Sequence, residues 1–194
     1  ALLLRAGSLP APLEIIEERV VGPSLGQDSI KSGLQACGLG IIFVLVFMIF
    51  LYKFFGLVAN ITLIMNLVIT LTALSLLNAT LTLPGIAGIV LSIGMAVDTN
   101  VLIYERIREE YRENGKVYNS ILSGFDFAWA TIFDSNITTL LIAIILYILG
   151  SGPVRGFALV LGIGIFASLF SGVLLTKLLL YFWLEKFQPR KINI

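Results

Sequence analysis

The chain has 194 residues, of which 58% are hydrophobic and 13% charged. A soluble domain averages about 45–50% apolar and about 25% charged, so a water-soluble enzyme built on one small core is excluded, and the composition describes an integral helical membrane protein. Lys and Arg number 13 against 12 Asp and Glu, His is absent and Cys37 is the single cysteine. That balance offers no basic surface for nucleic acid, and it removes the usual zinc, haem and Cys/His catalytic constellations, so no metal, cofactor or enzyme activity is expected.

The sequence opens at Ala1 inside an apolar run, Leu2 to Leu4, with no initiator Met and no signal-peptide pattern. It reads as the C-terminal part of a longer protein. Residues 1–30 are unlike the rest. Leu13 to Val21 mixes apolar and charged positions as a strand would, Gly22-Pro23-Ser24-Leu25-Gly26 is a turn-rich connector, and Asp28 or Ser29 is placed to cap a first helix. This segment is expected to be the remnant of an extracytoplasmic α+β domain.

Residues 31–183 form the expected transmembrane domain. A bilayer core about 30 Å thick takes about 20 apolar residues, and five stretches qualify: about 34–52, 57–77, 85–104, 130–149 and 155–181. Lys53-Phe54-Phe55-Gly56, the run from Asn78 to Pro84, and Gly150-Ser151-Gly152-Pro153 separate them with turn chemistry. The last stretch is too long for one straight span, and its second half, Lys177 to Trp183, is expected at the interface, where Tyr and Trp are favoured. Between the third and fourth stretches, 105–129 is expected as a charged cytoplasmic loop. Its first part extends the third helix, with Glu109 and Arg112 spaced to pair, and Asn114-Gly115 stops it. Val117, Ile121, Phe125 and Trp129 then recur every fourth residue, as on a helix lying on the membrane surface.

The basic residues set the orientation. With the tail 184–194 in the cytoplasm, Lys53, Arg106, Arg108, Arg112, Lys116, Lys186, Arg190 and Lys191 lie inside, against Arg5, Arg19, Lys31 and Arg155 outside. The bias predicts a cytoplasmic C-terminus, and five crossings then require a further span upstream.

Two carboxylates fall within the spans, Asp98 and Asp134, although a charge at the bilayer centre costs about 2.5–3.5 kcal/mol even on the lenient insertion scale. Counting 1.5 Å per residue from the cytoplasmic edge puts Asp98 about 9 Å deep and Asp134 about 7 Å deep, nearly one level for antiparallel neighbours. Asn100, Thr131, Asn136 and Thr138 fall near that level, and Thr62, Asn66 and Thr70, four apart, share one face of the second span. Together they predict a wet seam in the bundle interior. Removal from water favours the neutral form of a carboxyl, and no Lys, Arg or His lies at this depth to hold the charge, so Asp98 and Asp134 are candidates for a proton relay. The alternative is a protonated aspartate hydrogen-bonded to Asn or Thr on a neighbouring helix. An aspartyl protease dyad is disfavoured, because neither Met95-Ala96-Val97 nor Thr131-Ile132-Phe133 supplies the Gly-x-Gly that usually precedes such an aspartate. Gly85, Gly88 and Gly94 on the third span, and Gly156, Gly162, Gly164 and Gly172 on the fifth, predict close helix contact.

The run from Gly94 to Glu110, containing Gly94-Met95-Ala96-Val97-Asp98-Thr99-Asn100, resembles the fourth membrane segment of the SecD branch of the SecD/SecF protein-export family. Leu4 to Leu13, Val21 to Gly26, Asp134 to Leu140 and Gly150 to Phe157 resemble the same family in the same order, so the likeness covers essentially the whole chain. Thr99 and Ser135 stand where that family usually has Ala. The resemblance places the chain in the resistance-nodulation-division superfamily. It implies five helices of a six-helix half, with the large extracytoplasmic domain between the first and second spans mostly missing. It also implies a bacterial inner-membrane subunit that works with SecF, the SecYEG channel and SecA, and that uses the proton-motive force to draw preproteins outward. In the family the position matching Asp98 is implicated in proton flow; Asp98 and Asp134 are the candidate relay here, with Asn66, Thr99, Asn100, Thr131, Asn136 and Thr138 as supporting polar residues. The competing readings are a half-transporter for lipid or small solutes and a purely structural scaffold for the channel.

Overall fold

The computed structural model describes residues 23–189, with side chains from Asp28 onward; the expected strand at Leu13 to Val21 lies outside that range. Among the described residues the fold is all-helical. Helix α1 is Pro23–Leu76, α2 is Leu83–Asn114, α3 is Val117–Leu149 and α4 is Pro153–Ser168; a π-helix, Leu169–Leu175, then runs without a break into α5, Thr176–Phe187. Four of these helical stretches are long and apolar enough to cross a membrane.

Helix α1 has 54 residues, which as one rod would be about 80 Å long. It is instead folded at Lys53, where the backbone turns to φ 49°, ψ −111°. Asn60 Nδ2 donates to the Leu45 carbonyl at 3.0 Å, although a straight helix would hold these residues about 22 Å apart. The arms 23–52 and 54–76 therefore run back along one another. Gly56 permits the crossing: a Cβ there would lie 2.6 Å from the Met48 carbonyl carbon and 2.9 Å from Ile49 Cα. Tyr52 and Phe55 are buried at the fold, and Phe54 stacks on Trp183 of α5 with centroids 4.7 Å apart.

Helix α2 begins on a side-chain cap, Thr82 Oγ1 accepting from the Gly85 amide at 3.2 Å, with Pro84 in the first turn, where no donor is lost. It has 32 residues and α3 has 33, so each is about 50 Å long and outruns a bilayer core by about 20 Å. The segment 105–129 is accordingly a helical hairpin and not a loop. Gly115 forms its tip at φ 65°, donating its amide to the Tyr111 carbonyl. Only glycine takes that conformation without strain, so Gly115→Ala is expected to cost about 1 kcal/mol, read as a lower melting temperature in detergent. The stripe expected on a membrane-surface helix is also corrected. Val117, Ile121 and Phe125 are buried with Ile103, Tyr104 and Ile107 of α2, and of the four residues only Trp129 is exposed. Gly124 lets the two helices touch, since a Cβ there would lie 2.9 Å from the Ile107 Cα and amide nitrogen.

Helix α2 is the centre of the bundle, in contact with α1, α3, α4 and the π-helix. The glycines predicted for close contact divide. Gly88 abuts Val160, Gly156 abuts Thr82, Gly164 abuts Ser92 and Gly172 abuts Thr99, whereas Gly94 and Gly162 face open space. The outward faces of α1 and α3 carry large apolar side chains such as Leu39, Phe43, Phe50, Leu141, Ile145 and Ile148, as surfaces turned to lipid or to another membrane subunit do.

Candidate functional site

The polar residues expected to form one seam form two groups, on opposite sides of α2. The first is inside the bundle. Thr62, Asn66 and Thr70 of α1 are each 1% exposed, so the face read from their four-residue spacing is an interior face. Opposite them, Asn100 Nδ2 donates to Thr62 Oγ1 at 3.3 Å and to the Ala96 carbonyl at 3.1 Å. Thr176 of α5 donates its hydroxyl to Asn100 Oδ1 at 2.9 Å, and Thr99 Oγ1 lies 3.4 Å from Ser168 Oγ of α4. Helices α1, α2, α4 and α5 are thereby tied through buried hydroxyls and one amide. A buried Asn left without these partners would cost about 1–3 kcal/mol. Thr99, Asn100 and Asn66 were legible as intramembrane polar groups. Ser168, Ser171 and Thr176 were not singled out, although their spacing in an otherwise apolar run was the available signal.

The second group faces outward. Asp98 lies about 200° around the helix from Asn100 and is exposed at the surface of the chain, as are Asp134, Thr131 and Thr138. The expectation of an interior position for these four is therefore corrected. An apolar helix surface gives the sequence no signal for which side meets lipid and which meets protein. Their common level does match the geometry. A cleft of about 120 Å³ between α2 and α3 is lined by Met95, Asp98, Thr99 and Leu102 on one side and by Ser135, Asn136 and Thr139 on the other. Asp98 is thus level with the turn that directly follows Asp134. Neither carboxylate has a hydrogen bond or ion pair among the described residues. Asn136 is 7% exposed and bonds back to the Ile132 carbonyl at 2.7 Å; Thr138 bonds back to the Asp134 carbonyl at 2.9 Å.

On the other side of Leu102 a second pocket of about 210 Å³ is lined by Glu105, Arg106, Glu109, Phe127, Ala128 and Thr131. Here the charges are paired: Arg106 meets Glu109 at 2.6 Å, Arg108 meets Glu105 at 2.7 Å, and Tyr52 donates to Glu105 at 2.9 Å. Ion-paired charges near the helix end therefore lie about two turns along α2 from an unpaired carboxylate within an apolar stretch.

This arrangement, long apolar helices around a central helix with polar groups on both its faces, is that of a polytopic membrane protein. Residues 7–186 match the family described as protein export membrane protein SecD/SecF, C-terminal. The chain is 56% identical over its whole length to the protein translocase subunit SecD of Rickettsia conorii, of which it covers 38%. It is 54% identical over 91% of its length to that of Calditerrivibrio nitroreducens, of which it covers 34%. The crystal structure of SecDF, a translocon-associated membrane protein from Thermus thermophilus, is similar over 98% of this chain and 27% of that one, with 46% identity and a TM-score of 0.85. The chain belongs to the SecD/SecF protein-export family. It spans about 38% of the length of the Rickettsia relative.

Proposed function

We propose that this chain is the membrane-embedded part of a SecD-type subunit that uses the proton-motive force to assist preprotein export across the bacterial cytoplasmic membrane, with Asp98 as the proton-carrying carboxyl. The observation that carries the reading is the unpaired Asp98 carboxylate, set in a polar cleft between two apolar helices. A potential of 100 mV supplies about 2.3 kcal/mol per charge moved, and such a carboxylate is a place where that energy can be taken up. Asp134 is the second relay group, and Thr99, Asn100, Thr131, Asn136, Thr138 and Asn66 are the polar supports of the two faces of α2 and its neighbours.

On this reading the two arms of α1 that meet at Lys53 count as two crossings, giving five crossings of a six-helix half, with residues 1–30 the end of an extracytoplasmic domain and the C-terminus cytoplasmic. Asp98 faces away from the half that bears it, so a second half, SecF, is the partner that would close the cleft, and SecYEG and SecA are the machinery it would serve. The test is export of a preprotein into proteoliposomes holding the full-length subunit, SecF, SecYEG and SecA. Collapsing the proton gradient should remove the stimulation due to this subunit; stimulation that survives collapse would leave a structural scaffold as the reading.

One observation favours the alternative of a half-transporter for lipid or small solutes. A cavity of about 400 Å³ opens where Leu71, Leu74, Leu159 and Val160 meet Arg155, whose guanidinium lies 4.4 Å from the Tyr147 ring centroid. Efflux of labelled lipid or solute from the same vesicles, without preprotein, separates the two.

A further inference from the structure

Resting on the reading of Asp98 as the proton carrier, we infer that Thr176 and Ser168 are positioning residues for Asp98, and that the π-helix between them passes the state of α2 to the last helix. The two residues that follow Asp98 in sequence are each held by this helix, from opposite ends of the π segment. Thr99 meets Ser168 just before it, and Asn100 accepts from Thr176 just after it. Between these contacts Gly172 lies against Thr99, close enough that a Cβ would be 2.8 Å from Thr99 Cγ2. All four polar side chains are between 0% and 3% exposed. The turn of α2 that carries Asp98 on its outer side is therefore clasped on its inner side by the π segment.

The clasp has two hydrogen-bonded arrangements available. A π-helix is rare and is found mostly as short insertions at functional positions; it leaves backbone groups that need other partners. Side-chain hydroxyls bond to carbonyls around this segment: Ser171 donates to the Ala167 carbonyl, in the last turn of α4, at 2.8 Å, and Thr176 Oγ1 lies 3.3 Å from the Ser171 carbonyl, which the Thr176 amide also meets. That Thr176 oxygen is also the donor to Asn100 Oδ1. A hydroxyl has one proton, so Thr176 bonds either α2 or its own π segment. A small rotation of α2, following a change of charge at Asp98, withdraws Asn100 and hands the Thr176 proton to Ser171. The side-chain bond between α2 and α5 is then broken, and α5 is free to shift. The other charged groups on this side of α2 are Asp134 on α3 and, two turns along α2, Glu105 and Arg106; none of them touches the clasp.

The test uses the full-length subunit with its partner subunit in liposomes, Cys37 replaced by Ser, and spin labels on Gly94→Cys and Leu178→Cys, two outward-facing positions on α2 and α5. The distance between labels is measured with Asp98 and with Asp98→Asn, each with and without Thr176→Val. The Asp98→Asn change should shift the distance, and Thr176→Val should abolish that shift. Proton-driven export by Thr176→Val should fall about tenfold, the ratio that one lost buried hydrogen bond carries. Thr176→Ser, which keeps the hydroxyl, should restore both. A shift that persists in Thr176→Val overturns the clasp and leaves the role of Asp98 standing. No shift on Asp98→Asn, together with full proton-driven export, overturns both. Should Thr176→Val fail to accumulate, Gly172→Ala presses on the same contact from the other side without stranding a polar group. It should also abolish the shift, and a normal shift there overturns the clasp.

Discussion

Replacing Asp98 with Asn should leave the protein folded and assembled while abolishing its proton-dependent stimulation of export. The substitution preserves volume and polarity but takes away the exchangeable proton. Folding should survive because Asp98 makes no hydrogen bond or ion pair among the described residues and lies at the surface of the chain; changes at such positions are usually within about 0.5 kcal/mol. The measurement is preprotein translocation into proteoliposomes with and without a proton gradient, alongside a melting curve for each variant. Asp134→Asn should give a partial loss, since Asp134 lies next to the cleft and does not line it. Full stimulation by Asp98→Asn would remove Asp98 as the carrier, whatever its melting temperature.

The largest expected loss of stability is at Gly56. A side chain at Gly56 would be driven into the Met48 carbonyl and Ile49 backbone, and backbone cannot rotate aside as a side chain can. Gly56→Leu should therefore cost about 3 kcal/mol or more, the upper end of what over-packing produces, and should open the Asn60–Leu45 bond that closes the two arms of α1. Gly162→Leu is the control, because a Cβ at Gly162 meets nothing within 4 Å. It should change stability by no more than about 0.5 kcal/mol. Equal melting temperatures for the two variants would show that the arms are not held by this close approach.

The fold was readable wherever a single residue dictates backbone geometry. Gly115 stops α2 and Pro153 starts α4, as their chemistry requires, and Lys53 to Gly56 was recognisable as a turn before the fold-back was seen. The interior face of Thr62, Asn66 and Thr70 was readable because polar residues four apart in an apolar run can share only one side of a helix. The facing of Asp98 was not. In water the polar side of a helix turns outward; within a bilayer α2 has polar groups on both its faces, so a carboxylate fits either an interior or a partner-facing position equally well. The π-helix left no mark in the sequence either. The stripe from Val117 to Phe125 has the spacing of an amphipathic helix, and that spacing serves a membrane surface and a second helix alike.

The hairpin tip at Gly115 has a practical consequence. Helices α2 and α3 carry it about 15 Å beyond Glu105 at 1.5 Å per residue, on the far side of the ion-paired charges from Asp98. Protruding turns are where inserted sequences are best tolerated. A protease site or fluorescent tag spliced between Gly115 and Lys116 would therefore report, by which compartment can reach it, how the subunit is threaded through the membrane, and would do so without touching the cleft or the clasp.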